Sequence, residues 1–452
     1  MEGAAVQRLE RYFQKIGDVL EEKSRRGSFA LYAMGLLGAG ERKSVEPMAA
    51  RACPDPKRVD AVHQRLLHFA VDSKWSDRDV RRVAAQYALE AMTKREPVKA
   101  WIVDDTGFLK QGKHSVGVQR QYTGPAGKVT NCQIGVSLSI ATRTEHLPID
   151  FELYLPEGWA NDIAHRQEAR IPPEVLFKTK PQRALQMIER AVEDRVPPGI
   201  VLADSAYGSS SPFRAHLRSL GLHYGVGVSS QNTVCLLDDK GGAPEEAQSV
   251  SEVAFRLQEA GGFRRCTWRQ GTRQNLSARF ALRRVNAAGV SQSEQEPLWL
   301  LIEWREGEPE PANYFLISLP GHRTKNSSSV WSCSAGGLSA FTKTSKANSA
   351  WIMMKAAVSQ AGITTSLSLC AATRSLWLNA CGISPPRPEG RMKPTRSRSR
   401  PERHFHDSFI TARLAMARVI AAWLPRCPTC HHSHSERSGR NPFGLPFHPL
   451  GP

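Results

Sequence analysis

Strand and helix patterns alternate in a definite order between residues 100 and 228, and this order constrains the fold more than any other feature. Three apolar stretches with strand-like patterning come first. Two more follow, each preceded by a stretch with helical spacing that ends at a Pro or Gly stop signal. In chain order the segments are WIVDDT, VTNCQIGVSLSIAT, HLPIDFELYLPEGW, TKPQRALQMIERAVEDR, GIVLADSAYG, PFRAHLRSLG and LHYGVGV.

Three strands, a helix, a strand, a helix and a strand is the element order of an RNase-H-like core, so the chain is predicted to be an α/β protein. We place the first part of this core, with both acids discussed below, at residues 99–230. Residues 231–321 carry four further strand patterns, which predict a β-rich insertion ending in a strand that returns to the core. These patterns are RCTWRQGT, SARFALRRV, LWLLIEW and ANYFLISL.

Residues 1–98 are predicted to form a helical N-terminal region. In SDRDVRRVAAQYALEAM, Ser76 has the character of an N-cap, and Asp79 follows three residues later. A plain helical bundle accounts for this pattern. A DNA-binding role is the alternative, although no recognition helix stands out.

The formal net charge of +18 and the pI near 9.7 indicate a polyanionic partner. Nucleic acid is the leading interpretation, and an anionic membrane surface is the alternative. No apolar run approaches the ~20 residues of a membrane span, and the N-terminal stretch is amphipathic with mixed charge. The nine cysteines are scattered and do not resemble a disulfide framework. We therefore expect a soluble, cytoplasmic protein with no membrane partner.

Acidic residues end two of the predicted strands. Asp105, with Asp104 beside it, ends WIVDDT, and Asp204 ends the strand in VLADSAYG. Because sites form at strand ends along one edge of an α/β sheet, we expect these carboxylates to converge. Carboxylates from separate strands can hold Mg²⁺, which prefers hard oxygen ligands. The alternative is local, since an acid in this position often caps a helix or forms a turn.

Three motifs closely resemble those of DDE-type transposases of the insertion sequence 701 family. They are WIVDDTGFLKQGKHSVGVQRQYTGPAGKVTNCQIGVSLSIAT, LPEGWANDIAHR and VLADSAYG. The resemblance runs from about residue 20 to residue 320 and resumes in RPERHFHDSFITARLAMARVIAAWLPRCPTC. The DDTGF, GKHSVGV and RQY block is long and distinctive.

The resemblance implies an RNase-H-like fold in which three acids bind the metal ions. Asp105, directly before the Thr of DDTGF, matches the first acid, and Asp204 matches the second. Mg²⁺ is the implied cofactor, with Mn²⁺ as a substitute. The implied reaction is hydrolysis at the ends of a bacterial insertion sequence, followed by attack of the 3′-hydroxyl on target DNA.

The implied partners are double-stranded DNA, as element ends and as target, and further copies of the chain that associate on it. The implied location is the bacterial cytoplasm, in association with the nucleoid. No Gly-rich phosphate loop is present, so no nucleotide cofactor is expected.

The third acid of the family pattern is missing where it is expected. The family has a Glu on a helix resembling RWRIERF, followed by a segment resembling LDHxEGRSxxGWHHH. In this chain the corresponding stretch, between Glu310 and Glu389, contains no Asp or Glu over 78 residues. A Ser-rich linker is one interpretation of such a stretch.

The genetic code supports a different interpretation. Met and Trp each have one codon, so reading Trp351-Ile352 from the third base of the Trp codon gives GAT, for Asp. In the same frame Met353-Met354 gives Asp and Met354-Lys355 gives Glu. Permitted third bases also allow RWRIERF upstream and Trp-His-His-His downstream. We therefore interpret residues 322–395 as translated out of frame and expect them to be poorly ordered.

Basic and metal-binding signals complete the sequence picture. Lys110, Lys113 and Arg120 could contact DNA phosphates, and simple surface solvation is the alternative. Residues 396–452 predict a basic C-terminal helix and tail. This tail includes CPTCHHSH, which is half of a zinc site with no second pair of suitable spacing.

Two functions from different classes remain open on the sequence. The first is a DNA transposase whose activity is impaired by loss of the third acid. The second is a non-catalytic DNA-binding remnant that recognises element ends without cutting them. A structure-specific nuclease would use the same two acids without needing paired element ends.

Overall fold

The computed structural model describes residues 2–37, 44–53, 55–124, 126–142, 145–237, 246–270, 275–288 and 297–318. The predicted out-of-frame segment at 322–395 and the predicted C-terminal helix and tail at 396–452 lie outside the described residues. The described chain divides into two compact units. The first contains residues 2–97 and Thr142–Phe151, and the second contains Val98–Ala141 and the residues from Glu152 onward.

The first unit is helical over its N-terminal part, as predicted. Its helices are α1 (Glu2–Leu20), α2 (Lys23–Leu37), α3 (Val45–Ala52), α4 (Val59–Val71) and α5 (Asp77–Thr93). Their apolar faces bury one cluster that includes Tyr12, Phe29 and Phe69. Burial of this mixed aliphatic and aromatic surface stabilises the bundle.

The predicted cap of α5 is present. The Ser76 hydroxyl accepts a hydrogen bond from the backbone N–H of Asp79 at 3.1 Å. It thereby satisfies one of the amide donors that a helix start leaves without an intrahelical partner.

The second unit contains the α/β core. Its elements up to residue 228 are β1 (Ala100–Leu109), β2 (Gln119–Thr123), β3 (Lys128–Ala141), α6 (Glu157–Asn161), α7 (Ile163–Glu168), α8 (Lys180–Glu193), β5 (Ile200–Ala203), α9 (Ser205–Gly208), α10 (Ser211–Ser219) and β6 (Tyr224–Val228). Strand β4 (His146–Tyr154) belongs to the first unit up to Phe151 and to the second from Glu152.

The core strands have the order β2-β3-β1-β5-β6. Strand β1 is antiparallel to β3 and parallel to β5, and β5 is parallel to β6. Each parallel connection passes through helices, α8 before β5 and α10 before β6, which is how parallel neighbours are joined. This arrangement confirms the predicted RNase-H-like α/β fold.

Residues from Thr233 onward extend the same sheet. The elements are β7 (Thr233–Leu236), β8 (Gln248–Ser249), α11 (Val250–Glu259), β9 (Arg264–Gln270), β10 (Asn275–Ala287), β11 (Leu298–Trp304) and β12 (Asn313–Ile317). Strand β12 pairs with β6, so the sheet continues in the order β6-β12-β11-β10-β7-β8. The four strands predicted in this region are β9 to β12.

The sequence reading missed helix α11 inside this strand-rich region. Its start carries a capping box, in which Ser249 and Glu252 each bond the other's backbone N–H. The S-x-x-E signature before an apolar stretch was therefore available in the sequence. Within the ranges described, no helix has both the length and the apolar character that crossing a membrane requires.

Candidate active site

Asp105 lies in the middle of β1, whereas the sequence reading placed it at the end of a strand. Strand β1 continues because its antiparallel pairing with β3 extends to Leu109 opposite Cys132. The parallel pairing with β5, by contrast, ends with Ile102 opposite Leu202. Asp105 therefore lies just beyond the point where β5 stops, and its side chain keeps 27% of its surface exposed.

Asp204 directly follows Ala203, the last residue of β5. Its carboxylate accepts a hydrogen bond from the backbone N–H of Ala206 at 3.0 Å and is the N-cap of the short helix α9. The local alternative from the sequence, a capping Asp, is thus correct in its geometry. Capping uses one carboxylate oxygen, and a carboxylate has further lone pairs with which to bind a cation.

Tyr207 is a fully buried phenol on which acids of both strands act electrostatically. Burial raises the pKa of its phenol well above the usual value, and the negative charges of Asp105, Asp204 and Asp104 raise it further. Carboxylates from β1 and from the end of β5 therefore both affect the pKa of one buried hydroxyl. Among the described residues this hydroxyl has no partner at full hydrogen-bond geometry, although Asp105 approaches it closely enough to affect the pKa.

Close backbone packing holds Asp204 and Tyr207 against the neighbouring strand. A Cβ on Gly208 would lie 2.1 Å from the carbonyl oxygen of Gly227 in β6. A Cβ on Gly227 would lie 2.9 Å from the backbone nitrogen of Ser205. Because neither glycine can carry a side chain without backbone movement, the turn after β5 approaches β6 more closely than other residues would allow.

Lys180 forms an ion pair with Asp105. Its Nζ lies 2.8 Å from Oδ2 of Asp105 and 5.7 Å from the centre of the Tyr154 ring. The lysine is the first residue of α8, whose start is held by a capping box between Thr179 and Gln182. This ion pair therefore joins Asp105 to a helix that begins 75 residues later in the sequence.

A second group near the ion pair is the thiol of Cys132. Burial raises its pKa, and the charges of Lys180 and Asp105 act on it in opposite directions. Cys132 pairs with Leu109 across β3 and β1, so its side chain lies on the same sheet face as that of Asp105.

Asp104 points to the opposite face of β1, because successive side chains of a strand alternate. It is 6% exposed, and its Oδ1 accepts the backbone N–H of Asp105 at 2.8 Å. In register it lies opposite Ser137, which donates to its carbonyl oxygen. Asp104 thus supports the backbone at Asp105 from the other side of the sheet.

The three candidate DNA-binding residues follow β1 along the chain. Lys110 is half-buried, and this burial lowers its pKa, while Lys113 and Arg120 are exposed. Cys132 pairs with Gln119 as well as with Leu109, so Gln119 shares the sheet face of Asp105. Arg120 therefore lies on the opposite face, and the structure does not bring it to the Asp105 face of the sheet.

The donor set matches part of a metal site. Asp105 and Asp204 supply hard carboxylate oxygens of the kind that Mg²⁺ prefers, and the Lys180 ammonium group already occupies a cation's position beside Asp105. Within the part of the chain that the structure describes, no group of three or more His, Cys, Asp or Glu side chains could hold a metal ion. The position expected for a third acid lies outside the described residues.

Sequence reasoning missed two members of this site, Lys180 and Tyr207. Tyr207 is inside the LADSAYG motif, so its position after Asp204 was a usable signal. Lys180 carried no such signal, because only folding brings the start of α8 to β1.

Comparison with known proteins identifies the class of this chain. A family model described as DDE superfamily endonuclease matches residues 12–275, which include both Asp105 and Asp204. The chain belongs to this family of endonucleases.

Similarity to one particular relative narrows the class further. The chain is 30% identical over 175 residues to a protein from Microchaete diplosiphon named "Probable transposase for insertion sequence element IS701". The match covers 38% of this chain and 43% of the relative, so the chain spans less than half the length of that protein. The resemblance to transposases of this insertion-sequence family, predicted from the motifs, is confirmed.

Proposed function

We propose that this chain is a DNA transposase of a bacterial insertion sequence, or a close derivative of one, that uses Asp105 and Asp204 in phosphodiester cleavage. Two observations support the proposal: Asp105 on β1 and Asp204 after β5 belong to parallel neighbouring strands, and both acids raise the pKa of the buried Tyr207 phenol. All three residues lie inside the stretch that the endonuclease family model matches. Carboxylates from two strands at one place are what metal-assisted phosphoryl transfer requires.

Each residue of the site would have its own role in cleavage. Asp105 on β1 and Asp204 after β5 would hold Mg²⁺, with Mn²⁺ as a substitute. The bound metal supplies Lewis-acid activation of a water or a 3′-hydroxyl and stabilises the leaving oxygen. Lys180, once released from Asp105, would place a positive charge beside the scissile phosphate. Tyr207 keeps its proton because its pKa is raised, so it can donate to a carboxylate oxygen and orient it.

The third acid decides how well this site works. A Glu restored by the alternative reading frame would complete the set of three that the family pattern requires. Without it, a second metal ion loses a ligand, and the chain as written should cut DNA feebly. The excess of positive charge should still support binding to the phosphates of double-stranded DNA.

The cellular setting follows from the same proposal. Element ends and target DNA are the substrates, and several copies of the chain would associate on them. The protein would act in the bacterial cytoplasm at the nucleoid, without a nucleotide cofactor. Lys110, Lys113 and Arg120 would contact phosphates, with Arg120 acting from the sheet face opposite Asp105.

A non-catalytic DNA-binding remnant is the second candidate. One observation favours it, namely that the sequence has no Asp or Glu between Glu310 and Glu389, where the family pattern places its third acid. Such a protein would bind element ends, block access to them and leave the strands intact.

The decisive experiment is a nicking assay on DNA from the boundaries of the element, with and without Mg²⁺. It compares the chain as written, the frame-restored chain, and the frame-restored chain carrying Asp105→Asn. The exposed loop residue Glu174 provides the matched control, Glu174→Gln. Metal-dependent nicking by the restored chain that is lost only with Asp105→Asn would support the transposase. Binding without nicking by every version would establish the remnant.

A further inference from the structure

The hairpin formed by β2 and β3 carries four neighbouring side chains on the sheet face opposite Asp105. Arg120 pairs with Asn131 and Tyr122 pairs with Val129, and each of these residues alternates with residues on the Asp105 face. Tyr122 keeps 64% of its surface exposed, Val129 keeps 52%, and Arg120 is also exposed. These four residues, termed the hairpin patch, therefore present an aromatic ring beside a cation to solvent.

The charged residues around the hairpin patch in sequence are all basic. Asp105 and Glu145 are the nearest acids on either side, and no Asp or Glu occurs in the 39 residues between them. Arg120 and Lys113 form no ion pair with any residue that the structure describes. The basic residues of this stretch are Lys110, Lys113, Arg120, Lys128 and Arg143. Cations without carboxylate partners favour a polyanion as the ligand of this surface.

Gln133 fixes the loop of residues 110–118 at the border of the hairpin patch. It follows Asn131 by two residues in β3, so its side chain lies on the same sheet face. The side chain is buried, and its amide nitrogen donates to the carbonyl oxygen of Val116. The exposed part of the loop, residues 111–115, directly precedes this contact. The chain that carries Lys113 therefore runs beside the patch.

Trp159 provides a second anchor for the same loop. Its buried indole N–H donates to the carbonyl oxygen of Val118 at 2.8 Å. The His165 ring stacks on that of Trp159, with the ring centres 4.8 Å apart. Arg166 donates to four backbone carbonyls between residues 160 and 175, which fixes the surrounding chain. The LPEGWANDIAHR motif therefore braces the loop, a role that the two acids do not explain.

Duplex DNA fits the hairpin patch better than a second copy of the chain does. A copy would bring the same basic surface and a net charge of +18, and like charges repel at short range. Arg, Asn and Tyr side chains, by contrast, all contact phosphate or sugar groups in protein–DNA interfaces. The two anchors hold the loop in place before a ligand binds, which reduces the entropy lost on binding.

We infer that the hairpin patch, together with Lys113, binds the backbone of duplex DNA as a surface separate from the two acids. The inference deepens the proposed function and rests on it for DNA as the partner. Asp105 lies on the other face of the sheet, so the patch would contact phosphates other than the scissile one. It would hold the duplex without taking part in cleavage. Gln133 and Trp159 would be positioning residues that act through Lys113.

The first experiment measures binding of a random-sequence duplex to the full chain by fluorescence anisotropy at several salt concentrations. Arg120→Ala should lower the slope of log K against log salt by about 1. Tyr122→Ala should weaken binding about fivefold, and Tyr122→Phe should lose only part of this because the ring is kept. Arg264→Ala removes an exposed arginine of β9 outside the patch and should leave the slope unchanged. Equal losses in Arg120→Ala and Arg264→Ala would overturn the inference, since net charge alone would then govern binding.

The second experiment tests the brace through the coupling of two substitutions. Trp159→Phe keeps an aromatic ring but removes the indole donor to Val118. If the brace positions Lys113 for DNA, Lys113→Ala should weaken binding severalfold in the wild type and hardly at all beside Trp159→Phe. A purely structural role of Trp159 would lower the Tm without changing the effect of Lys113→Ala. Equal effects of Lys113→Ala in both backgrounds would therefore overturn the positioning role of Trp159.

Kinetics of the frame-restored chain distinguish failure of this inference from failure of the proposed function. Arg120→Ala and Tyr122→Ala should raise KM for element-end DNA and leave kcat unchanged. A fall in kcat with unchanged DNA binding would place the patch in cleavage and overturn the inference. If no version nicks DNA, the proposed function fails, whereas the anisotropy series still decides DNA binding at the patch.

Light scattering tests the rival occupant, a second copy of the chain. The oligomeric state without DNA should be the same for the wild type and Tyr122→Ala. A dimer that Tyr122→Ala dissociates, with DNA binding unchanged, would overturn the inference and assign the patch to self-association.

Discussion

The Lys180 ammonium group lies 2.8 Å from Oδ2 of Asp105, and each side chain keeps 27% of its surface exposed. A lysine thus neutralises the carboxylate that the proposed metal would need. The pair joins β1 to the start of α8, where Thr179 and Gln182 hold the backbone in a capping box. Any cation that binds Asp105 must compete with this ammonium group or displace it.

Removing Lys180 should therefore strengthen metal binding. In Lys180→Gln, Mn²⁺ affinity is expected to rise up to about fivefold, since a partly exposed ion pair contributes ~1 kcal/mol at most. Electron paramagnetic resonance of free Mn²⁺ measures this directly, and Lys178→Gln, two residues away, is the matched control. Weaker Mn²⁺ binding in Lys180→Gln would mean that the lysine supports the metal site and does not compete with it.

Substitution of Asp204 by Asn should separate its capping role from its charge. Asn is as good an N-cap as Asp, so Asp204→Asn should unfold within ~0.5 kcal/mol of the wild type while losing Mn²⁺ affinity. Asp204→Ala should lose the affinity and about 1 kcal/mol of stability besides. Urea unfolding and Mn²⁺ titration of the same preparations check both. Unchanged Mn²⁺ binding in Asp204→Asn would remove Asp204 from the proposed ligands.

Restoring the reading frame over codons 322–395 should raise cleavage by orders of magnitude. The restored Glu would complete the set of three acids and supply the missing ligand of the second metal ion. In the chain as written, Asp105→Ala should change an already low activity very little, whereas in the restored chain it should abolish nicking. Equal and robust nicking by both versions would show that another residue supplies the third acid. Resequencing the gene across codons 315–400 tests the frame itself.

Tyr207→Phe has an effect on stability with a definite pH dependence. At neutral pH the variant should be equal to the wild type or up to ~1 kcal/mol more stable, because it removes a buried hydroxyl without a good partner. Burial and the nearby carboxylates raise the pKa of Tyr207, so its unfolded form ionises first. The wild type should therefore lose stability relative to the variant as pH rises above about 10. Urea unfolding between pH 7 and pH 11 measures this difference, and a constant difference would contradict it.

Gly208→Ala should destabilise the second unit strongly. The added Cβ would lie 2.1 Å from a backbone oxygen of β6, so the turn that carries Asp204 and Tyr207 must move. We expect a loss of about 2 kcal/mol or more, since close-packed backbone cannot give way cheaply. Gly158→Ala, in α6, is the control, because nothing lies within 4 Å of its added Cβ. Equal stability of the two variants in urea would show that the close approach to β6 is not required.

The sequence by itself predicted strands β1, β3, β4, β5 and β6 with helices α8 and α10 in their order, and the cap of α5, but it did not predict β2. It also supplied Asp105 and Asp204 as the candidate acids. These features depend on neighbouring residues: apolar spacing, a Ser before a helix and motifs such as LADSAYG are all local. The capping box of α11 is also a local signal, although this helix was not among the predicted elements. The family match from residue 12 to residue 275 covers these core elements and both candidate acids.

Only the tertiary structure shows which of these side chains lie near one another. Strand β1 continues past Asp105 because β3 offers hydrogen-bonding partners as far as Cys132, and no pattern within WIVDDT reports that. The pairing of Lys180 with Asp105 likewise depends on packing of α8 beside a strand 75 residues earlier. Periodicity encodes which face of an element is buried, whereas ladder length, side-chain pairing and the burial of Tyr207 depend on partners distant in sequence.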